Sequence, residues 1–361
     1  MTTRNTEFHE QEIHGGDIYR HPGVCDFSSN MNPLGTPESV IKAAASSMAQ
    51  ISAYPDIRQT RLREKLAVCE QVSPEMLLFG NGAAELIYAY AQALRPEKAL
   101  LVIPGFAEYE AALRTVDCKC VYYMLSEERD FAAGEDLVDR ITEDLDTVLF
   151  CSPNNPTGRC IPATVLEKAA EKCSKLNIRF FIDECFLDFT EDEKSTSMKR
   201  FLADNPMLFI LKAFTKRYAM AGLRLGYAIC PDAAFRERVR SCIQPWNVSI
   251  PAQEAGIAAL DERLYLEESL RVIERGRVFL TEELRKRGYR VFPSETDYLL
   301  FRGPDDLWSK LLQQGILIRD CSNYRGLTNG YYRIAVRREE ENQKLLDAID
   351  RIKEDTWQKQ S

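Results

Sequence analysis

Between about residues 75 and 230, short apolar runs alternate with amphipathic stretches. The runs cover residues 76–79, 99–103, 120–125, 147–151, 179–182, 207–211 and 226–230. Such alternation predicts strands joined by helical crossovers, the pattern of a mainly parallel sheet. Several runs end in polar or Gly/Pro clusters: Gly80-Asn81-Gly82, Pro104-Gly105, Ser152 to Pro156, and Asp183-Glu184. In open α/β sheets, ligands sit beyond the carboxyl ends of strands, so these clusters are expected to line one crevice. After Pro251 the pattern turns helical and charged through about Arg287, and residues 298–301, 316–318 and 331–336 then read as short strands. Leu345, Leu346, Ile349 and Ile352 close the chain at helical spacing. The pattern predicts an α/β protein with a large domain over residues 39–249, built on a mainly parallel seven-stranded sheet. A smaller α+β domain takes residues 250–361 together with an N-terminal arm, residues 1–38.

A chain of 361 residues, 45% of them apolar, has enough material for one large core and a smaller one. Its net charge of -8 and the absence of any long Lys/Arg run argue against a nucleic-acid partner. The first residues are polar, and no apolar run approaches bilayer length, so no membrane association and a cytoplasmic location are expected. Eleven scattered cysteines fit reduced thiols. Cys118 and Cys120 stand close together, but a structural zinc site wants four ligands and no second cluster follows. All three histidines (His9, His14, His21) lie near the start. The body of the protein therefore works without imidazole, leaving acid-base chemistry to Lys, Asp, Glu, Tyr or a bound cofactor.

The segment from Lys212 to Gly226 follows a predicted strand and carries Lys216, with Arg224 beyond it. A lysine near an arginine is most often a solvated surface pair. Here Phe214, Ala219, Met220 and Leu223 surround Lys216, which points to a partly buried amine. Burial lowers a lysine pKa and frees the neutral amine to attack an aldehyde. Gly80-Asn81-Gly82-Ala83-Ala84 offers backbone N–H groups at the positive end of a helix. As a dinucleotide fingerprint it fails, because Glu85 stands where the last glycine belongs.

The stretch Ala213 to Lys216 and Ala221 to Gly226 resembles the lysine motif of the pyridoxal-phosphate (PLP) dependent class I/II aminotransferases of fold type I. Ser152-Pro-Asn-Asn155-Pro-Thr-Gly158, Ile182-Asp183-Glu184 and Arg333-Ile-Ala-Val336 agree with that family in order and spacing. The resemblance covers nearly the whole chain. It implies that Lys216 binds pyridoxal 5'-phosphate as a Schiff base, with Asp183 facing the ring nitrogen and Phe106 stacked on the ring. It also implies that Asn155 hydrogen-bonds the ring hydroxyl. Gly82, Ala83, Ala84, Thr215 and Arg224 would hold the phosphate, and Tyr54 would reach it from the partner subunit of a homodimer. Two positions depart from the family pattern: Ala213 replaces a hydroxyl residue that touches the phosphate, and Phe186 replaces a common tyrosine.

Within the family, the chain looks most like threonine-phosphate decarboxylases of cobalamin synthesis and next like histidinol-phosphate aminotransferases. The pointers are His14-Gly-Gly16, residues 26–35, 104–109, 183–189 and 318–324, with Phe186 favouring the decarboxylase side. The resemblance implies a small phosphorylated amino acid as substrate. Arg333 would grip its acidic group, Arg319 would stand nearby, and Asn32, His14 and Gly15 would close over its distal phosphate. Decarboxylation of L-threonine O-3-phosphate is the expected reaction, with transamination of histidinol phosphate or another amino acid as the alternative. A PLP-binding regulator without turnover and a nucleotide-dependent oxidoreductase are the remaining readings.

Overall fold

The computed structural model describes residues 14–190 and 196–358, so the first part of the N-terminal arm lies outside the described residues. A short strand β1 (Cys25–Asp26) precedes the main sheet. That sheet comprises β2 (Leu77–Asn81), β3 (Lys98–Ile103), β4 (Lys119–Met124), β5 (Thr147–Cys151), β6 (Arg179–Asp183), β7 (Leu208–Ala213) and β8 (Leu225–Ile229). Its order is β2-β8-β7-β6-β5-β3-β4, and β8 runs antiparallel to both of its neighbours while the others are parallel. The seven apolar runs of the sequence thus form one mostly parallel sheet, each displaced by no more than two residues at an end.

Every residue of β5, β6, β7 and β8 is buried, because helices cover both faces. Alternate side chains enter opposite cores. Val148, Phe150, Phe180 and Ile210 face one, and Leu149, Phe181, Phe209 and Leu211 the other. The helix Ile250–Ala259 opens with a Ser249 cap on the Ala252 amide and buries Ala252, Ala255 and Ala259 beside Val40 and Leu62. It therefore packs with the large sheet, although the sequence division assigns it to the smaller domain.

The long helix Arg263–Lys286 leads to β9 (Arg290–Val291), β10 (Tyr298–Arg302), β11 (Ile316–Leu317), β12 (Arg319–Asp320) and β13 (Tyr331–Ala335). A four-stranded antiparallel sheet forms in the order β12-β13-β10-β9, backed by Leu280, Leu346 and Ile349. The strand expected at residues 316–318 is β11, which pairs in parallel with β1, and a further short strand, β12, follows it and joins β13. The arm is thereby stitched to this second core through Phe27, which is fully buried in it. All eleven cysteines are free thiols, but only five are buried. Among the described residues, no helix is long and apolar enough to cross a membrane.

Candidate functional site

The register of β2, β8 and β7 builds one rim of the site. Gly226 pairs with Gly80 on one side and Ala213 on the other, so the glycine turn, the lysine segment and Arg224 meet at one point. A Cβ at Gly226 would lie 2.7 Å from the Gly82 carbonyl carbon and 2.8 Å from Ala83 Cα. Only a bare backbone lets β8 pass there. Gly82 itself has φ +76°, and a Cβ on it would sit 2.8 Å from Arg224 Cζ, so the guanidinium occupies that space. Ala83 and Ala84 follow in the first turn of the helix Gly82–Leu94, whose leading amides have no acceptor within the helix. Both line a cavity of about 790 Å³, as do Thr215, Lys216, Arg224, Asp183 and Phe106.

Lys216 sits in the short helix Phe214–Arg217 that begins where β7 ends. Its Nζ lies 5.9 Å above the ring of Phe186. Burial, then the positive charges of Arg333 and Arg224, lower its pKa to about 8, against the partial restoring pull of Asp297. The amine is readily deprotonated, as a nucleophile for an aldehyde must be. Asp183 closes β6 and is buried, its Oδ1 accepting the Cys185 amide at 2.8 Å and its Oδ2 the Tyr109 hydroxyl at 2.6 Å. Burial raises the Asp183 carboxyl pKa, while the Cys185 and Tyr109 hydrogen bonds hold the rise back. Tyr109 carried no site expectation, because its partner is 74 residues away and only the sheet brings them together.

Arg333 on β13 pairs directly with Arg319 on β12, and both side chains are buried. The Arg333 guanidinium donates to Asn155 Oδ1 and, at 2.7 Å, to the Ser28 carbonyl. Arg319 donates to Asn323 Oδ1 at 2.7 Å and lies over the Tyr324 ring. Tyr324, another residue without a site expectation, donates to Asn155 Oδ1 at 3.2 Å. His14 Nε2 meets Glu108 Oε1 at 2.9 Å and its ring stands 5.9 Å from Phe106, at the mouth of the cavity. Gly15 lines the same mouth, and the Gly16 amide donates to Ser28 Oγ at 2.7 Å.

One expected site residue lies elsewhere, and another was expected to serve a partner subunit. Asn32 is buried, but its Nδ2 donates to the Arg217 carbonyl at 2.9 Å and its Oδ1 accepts the Leu34 amide. Its own amide donates to the Lys216 carbonyl at 3.2 Å. The side chain is spent on fixing the lysine segment from behind rather than on reaching a substrate. Tyr54 is 78% exposed and stacks on Trp246 at 4.6 Å, away from the cavity of its own chain.

An amine of lowered pKa, a buried carboxylate, an aromatic ring and an open helix N-terminus flanked by Arg224 converge on one cavity. That donor set fits an aldehyde-bearing aromatic phosphate. The model of the family described as aminotransferase class I and II matches residues 22–349. Threonine-phosphate decarboxylase of Salmonella typhimurium is 37% identical over 351 residues, covering 94% of this chain and 96% of that protein. Histidinol-phosphate aminotransferase of Nitratidesulfovibrio vulgaris is 33% identical, covering 91% of this chain and 88% of that protein. Among solved structures, L-threonine-O-3-phosphate decarboxylase from Porphyromonas gingivalis superposes with a TM-score of 0.82 at 29% identity, over 91% of this chain and 99% of that one. Histidinol-phosphate aminotransferase from Clostridium acetobutylicum gives 0.85 at 31% identity, with the same coverage. The chain belongs to the aminotransferase class I and II family and is a pyridoxal-phosphate-dependent enzyme.

Proposed function

We propose that the chain decarboxylates L-threonine O-3-phosphate, with pyridoxal 5'-phosphate held on Lys216 as a Schiff base. The observation that carries this reading is the pair Arg319 and Arg333, two buried guanidiniums side by side in register on β12 and β13. Arg333 lines the cavity that holds Lys216, and Arg319, its cross-strand neighbour, lines the adjoining one with His14, Phe106 and Tyr324, so two fixed guanidiniums stand ready for the phosphate of a small phosphorylated amino acid. The similarity to threonine-phosphate decarboxylase of Salmonella typhimurium supports the same reaction.

When bound, the cofactor supplies a conjugated ring that takes up the electron pair released as a Cα bond breaks. Asp183 would face the ring nitrogen and favour a proton there, and the hydrogen bonds from Cys185 and Tyr109 oppose burial, which raises its carboxyl pKa. Ala83, Ala84 and Thr215, with the charge of Arg224, would take the cofactor phosphate, and Phe106 would cover the ring. Asn155 presents its amide beside Arg333 and Tyr324. Phe186 brings no hydroxyl to the Lys216 side of the cavity. Lys216, its pKa lowered to about 8, would be placed to take a proton from or give one to the substrate Cα.

With the arginines holding the substrate phosphate, the carboxylate would be left free to depart as carbon dioxide, and Lys216 would be the group placed to return a proton to Cα. His14 and Gly15 at the mouth complete the enclosure. Exposed Tyr54, beside exposed Met48, Ile51, Ile57 and Trp246, supports a homodimer in which each copy covers the other's cavity. Transamination is the second reading, favoured by the overlay on histidinol-phosphate aminotransferase from Clostridium acetobutylicum.

Incubation with threonine phosphate separates the two. Carbon dioxide and aminopropanol phosphate are the expected products. A 2-oxo product, with the cofactor converted to its amine form, would assign the chain to transamination.

A further inference from the structure

Asp297 stands immediately before β10 and is completely buried. Its Oδ1 accepts the Thr296 hydroxyl at 3.1 Å, while Oδ2 is buried with no hydrogen-bond partner among the described residues. A buried carboxylate oxygen left unsatisfied is costly to ionise unless cations stand close. Its backbone is fixed, since its carbonyl accepts the Val336 amide at 2.7 Å just past β13. The next residue, Tyr298, carries the Arg333 guanidinium 5.5 Å over its ring and meets the Phe186 ring edge-on at 5.0 Å. Phe186 in turn lies under Lys216 Nζ. Asp297 is thus anchored at the back of the wall on which Lys216 and Arg333 converge.

We infer that Asp297 is a positioning residue for Lys216, its buried carboxylate being the counter-charge that keeps positive charge on the Lys216 nitrogen. The inference rests on the reading of Lys216 as the cofactor lysine. The charged and polar groups acting on Asp297 are Lys216 from the helix Phe214–Arg217, the Thr296 hydroxyl of its own loop, and Arg333 from β13. Burial pushes its carboxyl to about 6 even so. In the other direction, Asp297 is the foremost anion opposing the push of Arg333 and Arg224 on Lys216. Asp183 faces the same cavity and also feels Lys216, but each of its oxygens already accepts a hydrogen bond, from Tyr109 and from Cys185. Asp297, with one oxygen free of hydrogen bonds, is the carboxylate that acts most strongly on the lysine.

The test is the pH titration of the cofactor's absorbance in the holoenzyme, for wild type, Asp297→Asn, Asp297→Ser and Asp297→Glu. The midpoint of the spectral change is expected to fall by about one pH unit, a tenfold shift in the proton equilibrium, in the Asn and Ser variants. The Glu variant, which keeps the charge, is expected to restore it. Should Asp297→Asn fail to fold, Asp297→Ser supplies the same comparison. An unchanged midpoint in a folded, cofactor-bearing variant overturns the inference alone. Failure of wild type to show any Lys216-linked absorbance overturns the cofactor-lysine reading and the inference with it.

Discussion

The Tyr109 hydroxyl donates a 2.6 Å hydrogen bond to Asp183 Oδ2, joining the helix Ala107–Arg114 to the end of β6 at the floor of the cavity. A bond from a neutral donor to an ionised acceptor contributes about 1.5–3 kcal/mol. Removing it in Tyr109→Phe lets Asp183 take up a proton more readily. The acid limb of the kcat/KM profile is expected to move to higher pH, with cofactor lost more readily on dialysis and the melting temperature little changed. A profile that superposes on wild type would show that the phenol does not support the carboxylate.

The cradle makes a second prediction. At Gly226 the atoms a methyl group would meet belong to the backbone of Gly82 and Ala83, which cannot swing aside as a side chain can. Gly226→Ala is expected to destabilise the fold by about 1–3 kcal/mol and to weaken cofactor binding together with it. Thermal melts and cofactor titration measure both.

Arg333 bridges Asn155 and the Ser28 carbonyl with the two arms of one guanidinium. A lysine ammonium cannot span both in a fixed plane. Arg333→Lys is expected to raise KM for the phosphorylated substrate at least about tenfold, the loss of one charge-assisted hydrogen bond, while the cofactor spectrum stays in place. A KM equal to wild type would remove Arg333 from substrate binding.

Glu70 belongs to a buried charge network beneath the sheet, with Lys199 on its Oε2 and the Tyr227 hydroxyl at 2.6 Å on its Oε1. Burial alone would raise its pKa. The charges of Lys212 and Lys199, with the hydrogen bonds, outweigh that and bring it from the usual 4.5 to about 2. A depressed carboxyl stabilises the fold above its unfolded pKa and stops doing so as pH falls through the folded value. Glu70→Gln is expected to destabilise the protein by about 3 kcal/mol near neutrality, because Lys199 loses its carboxylate partner and Lys212, still paired with Asp188, loses a second nearby anion. The gap from wild type is expected to close between pH 4.5 and about 2, as denaturant melts across that range would show.

Much of this was legible in the chain, and the reasons lie in particular residues. The runs at 147–151 and 179–182 became fully buried strands because helices on both faces demand continuous apolar side chains. The lysine segment was legible because Phe214 and Met220 announce burial beside a polar strand end. What escaped was set by register rather than by local pattern. Tyr109 and Asp183 are joined only by the stacking of β3, β5 and β6, and Tyr324 reaches Asn155 only across the two sheets. Asp297 reads in sequence as an ordinary loop acid, and its burial follows from the pairing of β10 with β13. Asn32 reads as a polar residue available to a ligand, yet its amide is committed to the backbone of Arg217.

The central claim is that one amine, Lys216, holds the cofactor. Borohydride reduction of the purified protein followed by peptide mapping tests it most directly. The account predicts a reduced pyridoxyl group on the peptide containing Lys216, and neither label nor turnover in Lys216→Ala. A label on another lysine, or full turnover in Lys216→Ala, would contradict it.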